Sequence, residues 1–181
     1  MTSELMVYIA IGAGSVAAVA VIAVLTRLAW RRQVRRYVVT LIGGQEDVRT
    51  ALSTVHKASG RLAEANDGEL IAFALGSGSD ERRTFADIAE RMDITAEELQ
   101  TMALPKGLWP VANTLADAAV LLGQQAGRVS SGVGLEVLDA LGEIDLVGVV
   151  SLLEASDAML SDLRERYRVA DDIIYGGGLY I

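Results

Sequence analysis

Residues Leu5–Leu25, "LMVYIAIGAGSVAAVAVIAVL", run for 21 positions without a charge, and ten of them are Leu, Ile or Val. As a helix rising ~1.5 Å per residue, the stretch covers about 31 Å, close to the ~30 Å hydrocarbon core of a bilayer. Each Leu, Ile or Val at such a helix centre favours insertion by about 0.3–0.6 kcal/mol. A helix also pairs every backbone N–H and C=O internally, which lipid requires. The run therefore predicts a single N-terminal transmembrane helix, with Tyr8 and Trp30 as aromatic side chains near its two interfaces.

The flanks give that helix a direction. The preceding segment "MTSE" has one acid and no basic side chain, whereas Arg27, Arg31, Arg32, Arg35 and Arg36 follow within ten positions. Basic flanks are retained in the cytoplasm, so the expected topology places the N-terminus outside and the rest of the chain in the cytosol at the plasma (inner) membrane. A cleaved signal peptide has the opposite charge order. From Tyr37 onward there are 11 basic and 23 acidic residues, a formal −12. So acidic a body repels nucleic acid, and the expected partners are the lipid bilayer and proteins with basic surfaces. Ala10, Gly14 and Ala18 fall on one helix face at four-residue spacing, which lets two such helices approach closely and form a homo-oligomer.

The same region resembles the first strand and turn of Rossmann-type enzymes, with "MVYIAIGAG" as the strand and Gly12, Gly14 and Ala17 in the glycine-fingerprint positions. That resemblance implies an NAD(P)-binding oxidoreductase fragment, with "YVVTLIGGQED" as a second strand and Glu46 or Asp47 on the ribose. Physical arguments weigh against it. A helix lying on a sheet needs a polar outer face, and none exists between Ser15 and Thr26. The acid also lies 29 positions past Ala17, where about 20 is usual.

Beyond the anchor (1–30), a basic juxtamembrane helix is expected over 31–44, ending at a Gly43-Gly44 hinge. An acidic helical bundle follows over 45–175. Val48, Leu52, Val55, Ser59 and Leu62 step by four and three, bordered by Ala51, Ala58 and Ala65, the pattern of a helix seam. "NDG" at Asn66–Gly68 ends that helix, and a short apolar one covers Glu69–Leu75 before the linker "GSGSD".

Thr84 with Asp87 and Thr95 with Glu98 read as two capping boxes, hence two short helices meeting around Asp93. "TFADIAERMDITAEELQ" resembles the helix-turn-helix of bacterial DNA-binding proteins, which implies a membrane-tethered transcription regulator. The recognition segment Ala96–Leu104 has two glutamates and no basic residue to meet phosphate or guanine, so a structural helical hairpin is the preferred reading. Leu108 and Trp109 beside Pro105 and Pro110 are expected to plug the bundle. Two longer helices should follow, from Val111 to Arg128 and within Leu135–Ile174 with a break near Gly148.

Candidate chemistry is sparse. The chain has no cysteine and one histidine, His56, so disulfides, thiolate chemistry and metal sites needing two histidines are excluded. His56 has no acid one turn away, and Glu97-Glu98 and Asp171-Asp172 point in divergent directions on a helix. No catalytic, cofactor-binding or metal-binding residue is assigned, and no cofactor is expected. The tail 176–181 is glycine-rich and apolar, and Leu179, Tyr180 and Ile181 are candidates for docking a partner protein. The composite expectation is an all-α protein, a single transmembrane helix followed by a cytosolic bundle. Its role would be that of a non-enzymatic scaffold or accessory subunit.

Overall fold

A computed structural model describes residues 2–76 and 79–169, with side chains described from Val21 onward except at 77–78. They form six α-helices: α1 (Thr2–Ala63), α2 (Asp67–Leu75), α3 (Asp80–Thr101), α4 (Trp109–Ser131), α5 (Leu135–Gly142) and α6 (Leu146–Tyr167). A single 3-10 turn at Lys106–Leu108 leads into α4. No strand occurs among the described residues, which are all-helical, as their patterning implies. It divides into two compact units, Met1–Tyr37 and Val38–Ile181.

The second unit is organised around α4. Helix α3 pairs with it most extensively, and α5 and α6 pack on it as well. The sequence of α4 explains this central position. Val111, Leu115 and Leu122 are buried together with Ala112, Ala116, Ala118, Ala119 and Ala126, so small side chains cover much of its circumference and admit neighbours on more than one side. At Gly123 an added Cβ would lie 3.1 Å from the Met92 Cβ and 3.3 Å from Asp93 Oδ1. A side chain there would require Met92 or Asp93 to give way by a few tenths of an ångström. From α3, Phe85, Ile88, Met92, Ala96 and Leu99 supply the facing stripe at three- and four-residue steps.

Within the second unit, α1 buries Val38, Leu41, Gln45, Val48, Ala51, Val55, Ala58 and Leu62. The seam expected from sequence is present but rotated: Ala51 and Ala58 lie in the buried row, whereas Leu52 and Ser59 are half-buried at its edge. Small alanines in the row let helices approach more closely than leucines would. Asn66 then caps α2 reciprocally, its Oδ1 accepting from the Glu69 N–H and its own N–H donating to Glu69 Oε2, both at 3.0 Å.

Several local expectations are overturned. Helix α1 runs through Gly43-Gly44 without a hinge. An added Cβ on Gly44 would be 3.4 Å from Leu99 Cδ2, so packing against α3 outweighs the ~1 kcal/mol helix penalty of glycine. The region 84–101 is part of one continuous helix rather than a helix-turn-helix or hairpin. Its cap is Ser79, whose Oγ accepts from the Arg82 N–H at 3.2 Å. The hydroxyls of Thr84 and Thr95 instead donate back to the carbonyls of Asp80 and Arg91, each at 2.9 Å, an arrangement that leaves the helix unbroken.

Leu108 plugs the core at 1% exposure, but Trp109 is 50% exposed and donates its indole N–H to the Leu104 carbonyl at 3.0 Å. The last break falls at 143–145, just ahead of Gly148, whose N–H is taken up by the α6 cap Asp145 at 2.8 Å. The Gly12, Gly14 and Ala17 positions lie inside α1, and so do Glu46 and Asp47, which removes the strand–turn–helix that a dinucleotide fold needs.

Among the described residues no helix is long and apolar enough to cross a membrane. Of the run Leu5–Leu25, only Val21–Leu25 has described side chains; those of Ala10, Gly14 and Ala18 lie outside the described residues. Asp171, Asp172, Leu179, Tyr180 and Ile181 lie outside them too.

Candidate functional site

Two surfaces concentrate the unusual chemistry, one in each unit. In the first, Val21, Ile22, Val24 and Leu25 are 57–59% exposed, and Leu28 and Trp30 are about half exposed. Every side chain from Val21 to Gln33 faces outward. A helix apolar on all sides is stable only when something apolar surrounds it. The one hydroxyl there is internally satisfied: Thr26 Oγ1 donates to the carbonyls of Ile22 and Ala23 at 2.9 and 3.0 Å.

Immediately below come the arginines. Arg27, Arg31, Arg32 and Arg36 are exposed and Arg35 is half-buried. At 100° per residue they occupy two rows, Arg27–Arg31–Arg35 and Arg32–Arg36, which together cover about half the helix circumference. Arg32 and Arg36 border an open groove of about 460 Å³ with Ala29, Gln33 and Tyr37.

The second surface lies between α2 and α5. Leu70, Ile71, Ala74, Leu75, Leu135 and Leu138 line an open groove of about 420 Å³, with Asp67 and Gly134 at its margin. Ile71, Leu75 and Leu135 are 57%, 74% and 76% exposed, an unusual concentration of apolar side chains facing out. Its backbone is fixed from behind. The Gly134 N–H donates to the Ala74 carbonyl at 3.2 Å, and Gly134 has φ +61°, a conformation that glycine adopts without strain.

Arg82, 4% exposed, donates to the carbonyls of Phe73 (3.5 Å), Ala74 (3.3 Å), Ser130 (2.8 Å) and Gly132 (2.5 Å). These are the C-terminal ends of α2 and α4, where unpaired carbonyls and the helix dipole concentrate negative charge. A buried cation is thus balanced by two helix ends instead of a carboxylate. Neither the groove nor this clamp is among the features the sequence patterning predicts. The run "GELIAFAL", apolar around most of the helix, was the one available sign of the groove.

The polar side chains form no catalytic constellation among the described residues. His56 is exposed, as are Glu97 and Glu98. No group of three or more His, Cys, Asp or Glu could hold a metal ion among the described residues. The buried Ser156 hydroxyl donates to the Leu153 carbonyl at 2.7 Å and accepts from Gln45 Nε2 at 2.8 Å. Gln45 Nε2 also reaches Asp157 Oδ1 at 2.9 Å, and Arg49 pairs with the same carboxylate. No base addresses the hydroxyl, so this cluster ties α1 to α6. Asp47 and Arg91 make an equivalent tie between α1 and α3. No family model, curated protein or solved structure matches this chain.

Proposed function

We propose that the chain is a single-pass membrane protein whose helical bundle acts as a scaffold or accessory subunit by protein–protein contact. The observation that carries the reading is the order of residues along α1: 21 uncharged positions, outward-facing apolar side chains at their C-terminal end, then five arginines. Water disfavours that sequence of surfaces, whereas a bilayer with its headgroups below the apolar span accommodates it. The acidic second unit would stand clear of an anionic lipid surface on the cytoplasmic side. The groove of Ile71, Leu75 and Leu135 supports a protein-binding role, because apolar side chains and not polar chemistry are what it presents.

Differential sedimentation of a cell lysate tests the anchor. The intact chain should pellet with membranes, resist alkaline carbonate and need detergent for release. A chain lacking Leu5–Leu25 should appear in the supernatant. An intact chain that stays in the aqueous fraction would remove the reading.

A further inference from the structure

We propose that the groove between α2 and α5 seats an amphipathic helix of a partner protein, apolar on the face that enters and basic along its flanks; the inference rests on the protein-contact role proposed above. Leu70, Ile71, Ala74 and Leu75 form one face of α2, and Leu135 and Leu138 line the same groove from α5. The open volume between them is about 420 Å³. Ile71, Leu75 and Leu135 are more than half exposed, so water covers apolar surface that a partner would release from it.

The backbone favours a helix over an extended segment. An extended peptide needs partners for its N–H and C=O groups, which a sheet edge supplies. No strand occurs among the described residues, and the backbone of α2 and α5 is paired along each helix's own axis. The Gly134 N–H and the Ala74 carbonyl, both at the groove, are bonded to each other at 3.2 Å. A helix brings its backbone pairing with it and needs only a place to bury its apolar stripe.

Charge selects the flanks. The segments 62–81 and 129–145, which build the groove and border it, hold five and four acidic residues and no Lys, Arg or His. Glu69 and Asp145 serve as helix caps, and Asp80 pairs with Arg83. Asp67, which lines the groove, is not so engaged, nor are Glu136 and Asp139, which follow Leu135 and Leu138 on α5. All three are exposed, and none makes an ion pair among the described residues. Arg82, just past the first segment, is buried and committed to the ends of α2 and α4. Lysines or arginines beside a partner's apolar stripe would meet these carboxylates at the rim.

Other occupants fit less well. A second copy of the chain would set acid against acid. The chain's own Leu179, Tyr180 and Ile181 are tethered at the wrong end of α6. Leu160 and Arg164 of α6 share a groove with Ile42, and Ile42 is about 32 Å along α1 from Ala63, after which α2 begins. Leu179 lies ten positions past Val169, a span of at most about 33–36 Å. That leaves little slack for entering the groove.

The full chain in phosphatidylcholine discs would be titrated by fluorescence anisotropy, with empty discs subtracted, against two labelled helical peptides. Both carry leucine at i, i+3, i+4 and i+7; one has lysine along the flanks of that stripe and the other glutamate. The lysine peptide should bind, and the glutamate peptide should bind at least about tenfold more weakly. A Leu75→Ser/Leu135→Ser variant, altered at two exposed positions, should lose about tenfold in affinity. Asp67→Asn/Asp139→Asn should weaken binding and flatten its salt dependence. Ile94→Ser, at an exposed apolar site on α3, should bind as the native chain does. No binding of the lysine peptide, equal affinity for the two peptides, or affinity unchanged in the Leu75→Ser/Leu135→Ser variant would overturn the assignment. So would dimerisation of the native chain that this variant abolishes, or an affinity that rises when residues 176–181 are removed; the first of these keeps a protein-contact role and changes its occupant. A native chain that stays out of the discs overturns the anchor reading instead, and the same titration is then read in buffer, so the two failures are distinguishable.

Discussion

Replacing Arg82 by methionine should destabilise the second unit by about 3 kcal/mol, although the two side chains are of similar length. The substitution removes the common donor of the Phe73, Ser130 and Gly132 carbonyls, while Ala74 keeps the Gly134 N–H. Hydrogen bonds from a charged group contribute about 1.5–3 kcal/mol net, and a buried carbonyl left unpaired costs about 1–3 kcal/mol. The combined loss is held below their sum, because relieving the cation of its desolvation offsets part of it. For a chain of this size a loss near 3 kcal/mol lowers Tm by roughly 6–12 °C. Arg82→Lys should recover only part of it, since an ammonium cannot span four acceptors in a planar fork. Thermal unfolding in detergent, followed by far-ultraviolet circular dichroism, measures both. A Tm for Arg82→Met within a degree of the native value would show that the clamp is dispensable.

Phe85→Ala should cost about as much or more, by a different mechanism. Phe85 is 0% exposed and is the largest fully buried side chain among the described residues. Removing its ring forfeits apolar transfer energy and opens a void that closely approached helices cannot collapse to fill, a loss of about 3–5 kcal/mol. The Gly123–Met92 approach shows how little freedom α3 has to shift toward α4. Ile94 provides the control on the same helix: at 52% exposure, its truncation to alanine should cost under ~1 kcal/mol. Comparable losses at the two positions would contradict the register assigned to α3.

Legibility in the sequence followed the range of the forces involved. The helical class, the seam through Val48, Val55 and Leu62, and the Asn66 stop all rest on interactions within a few residues, and periodicity or capping chemistry exposes them. Gly43-Gly44 reads as a hinge because glycine weakens an isolated helix; its tolerance comes from Leu99, 55 positions further on. Thr84 and Thr95 were misleading for a related reason. A threonine hydroxyl three residues before an acid can cap a new helix or bond back within an existing one, and only the tertiary setting decides. Arg82 has no local sign at all, since its acceptors come from helix ends up to 50 residues away. The arginine belt was legible because charge order needs no fold to be seen, whereas the pairing of Arg32 and Arg36 with Tyr37 in one groove required the helix register and the Gln33–Tyr37 bond.

The proposed placement of the N-terminal part of α1 in a bilayer, with the arginines on the cytoplasmic side, makes a direct demand on sidedness. A chain without cysteine permits a direct measurement, because any thiol introduced is the only one to label. A Ser3→Cys variant and a Lys106→Cys variant, the second at an exposed position, would be treated with a membrane-impermeant maleimide on intact cells. Labelling of the Ser3 variant alone is expected, with the Lys106 variant reacting only after permeabilisation. Labelling of Lys106→Cys in intact cells, or of neither variant until the cells are opened, would contradict it.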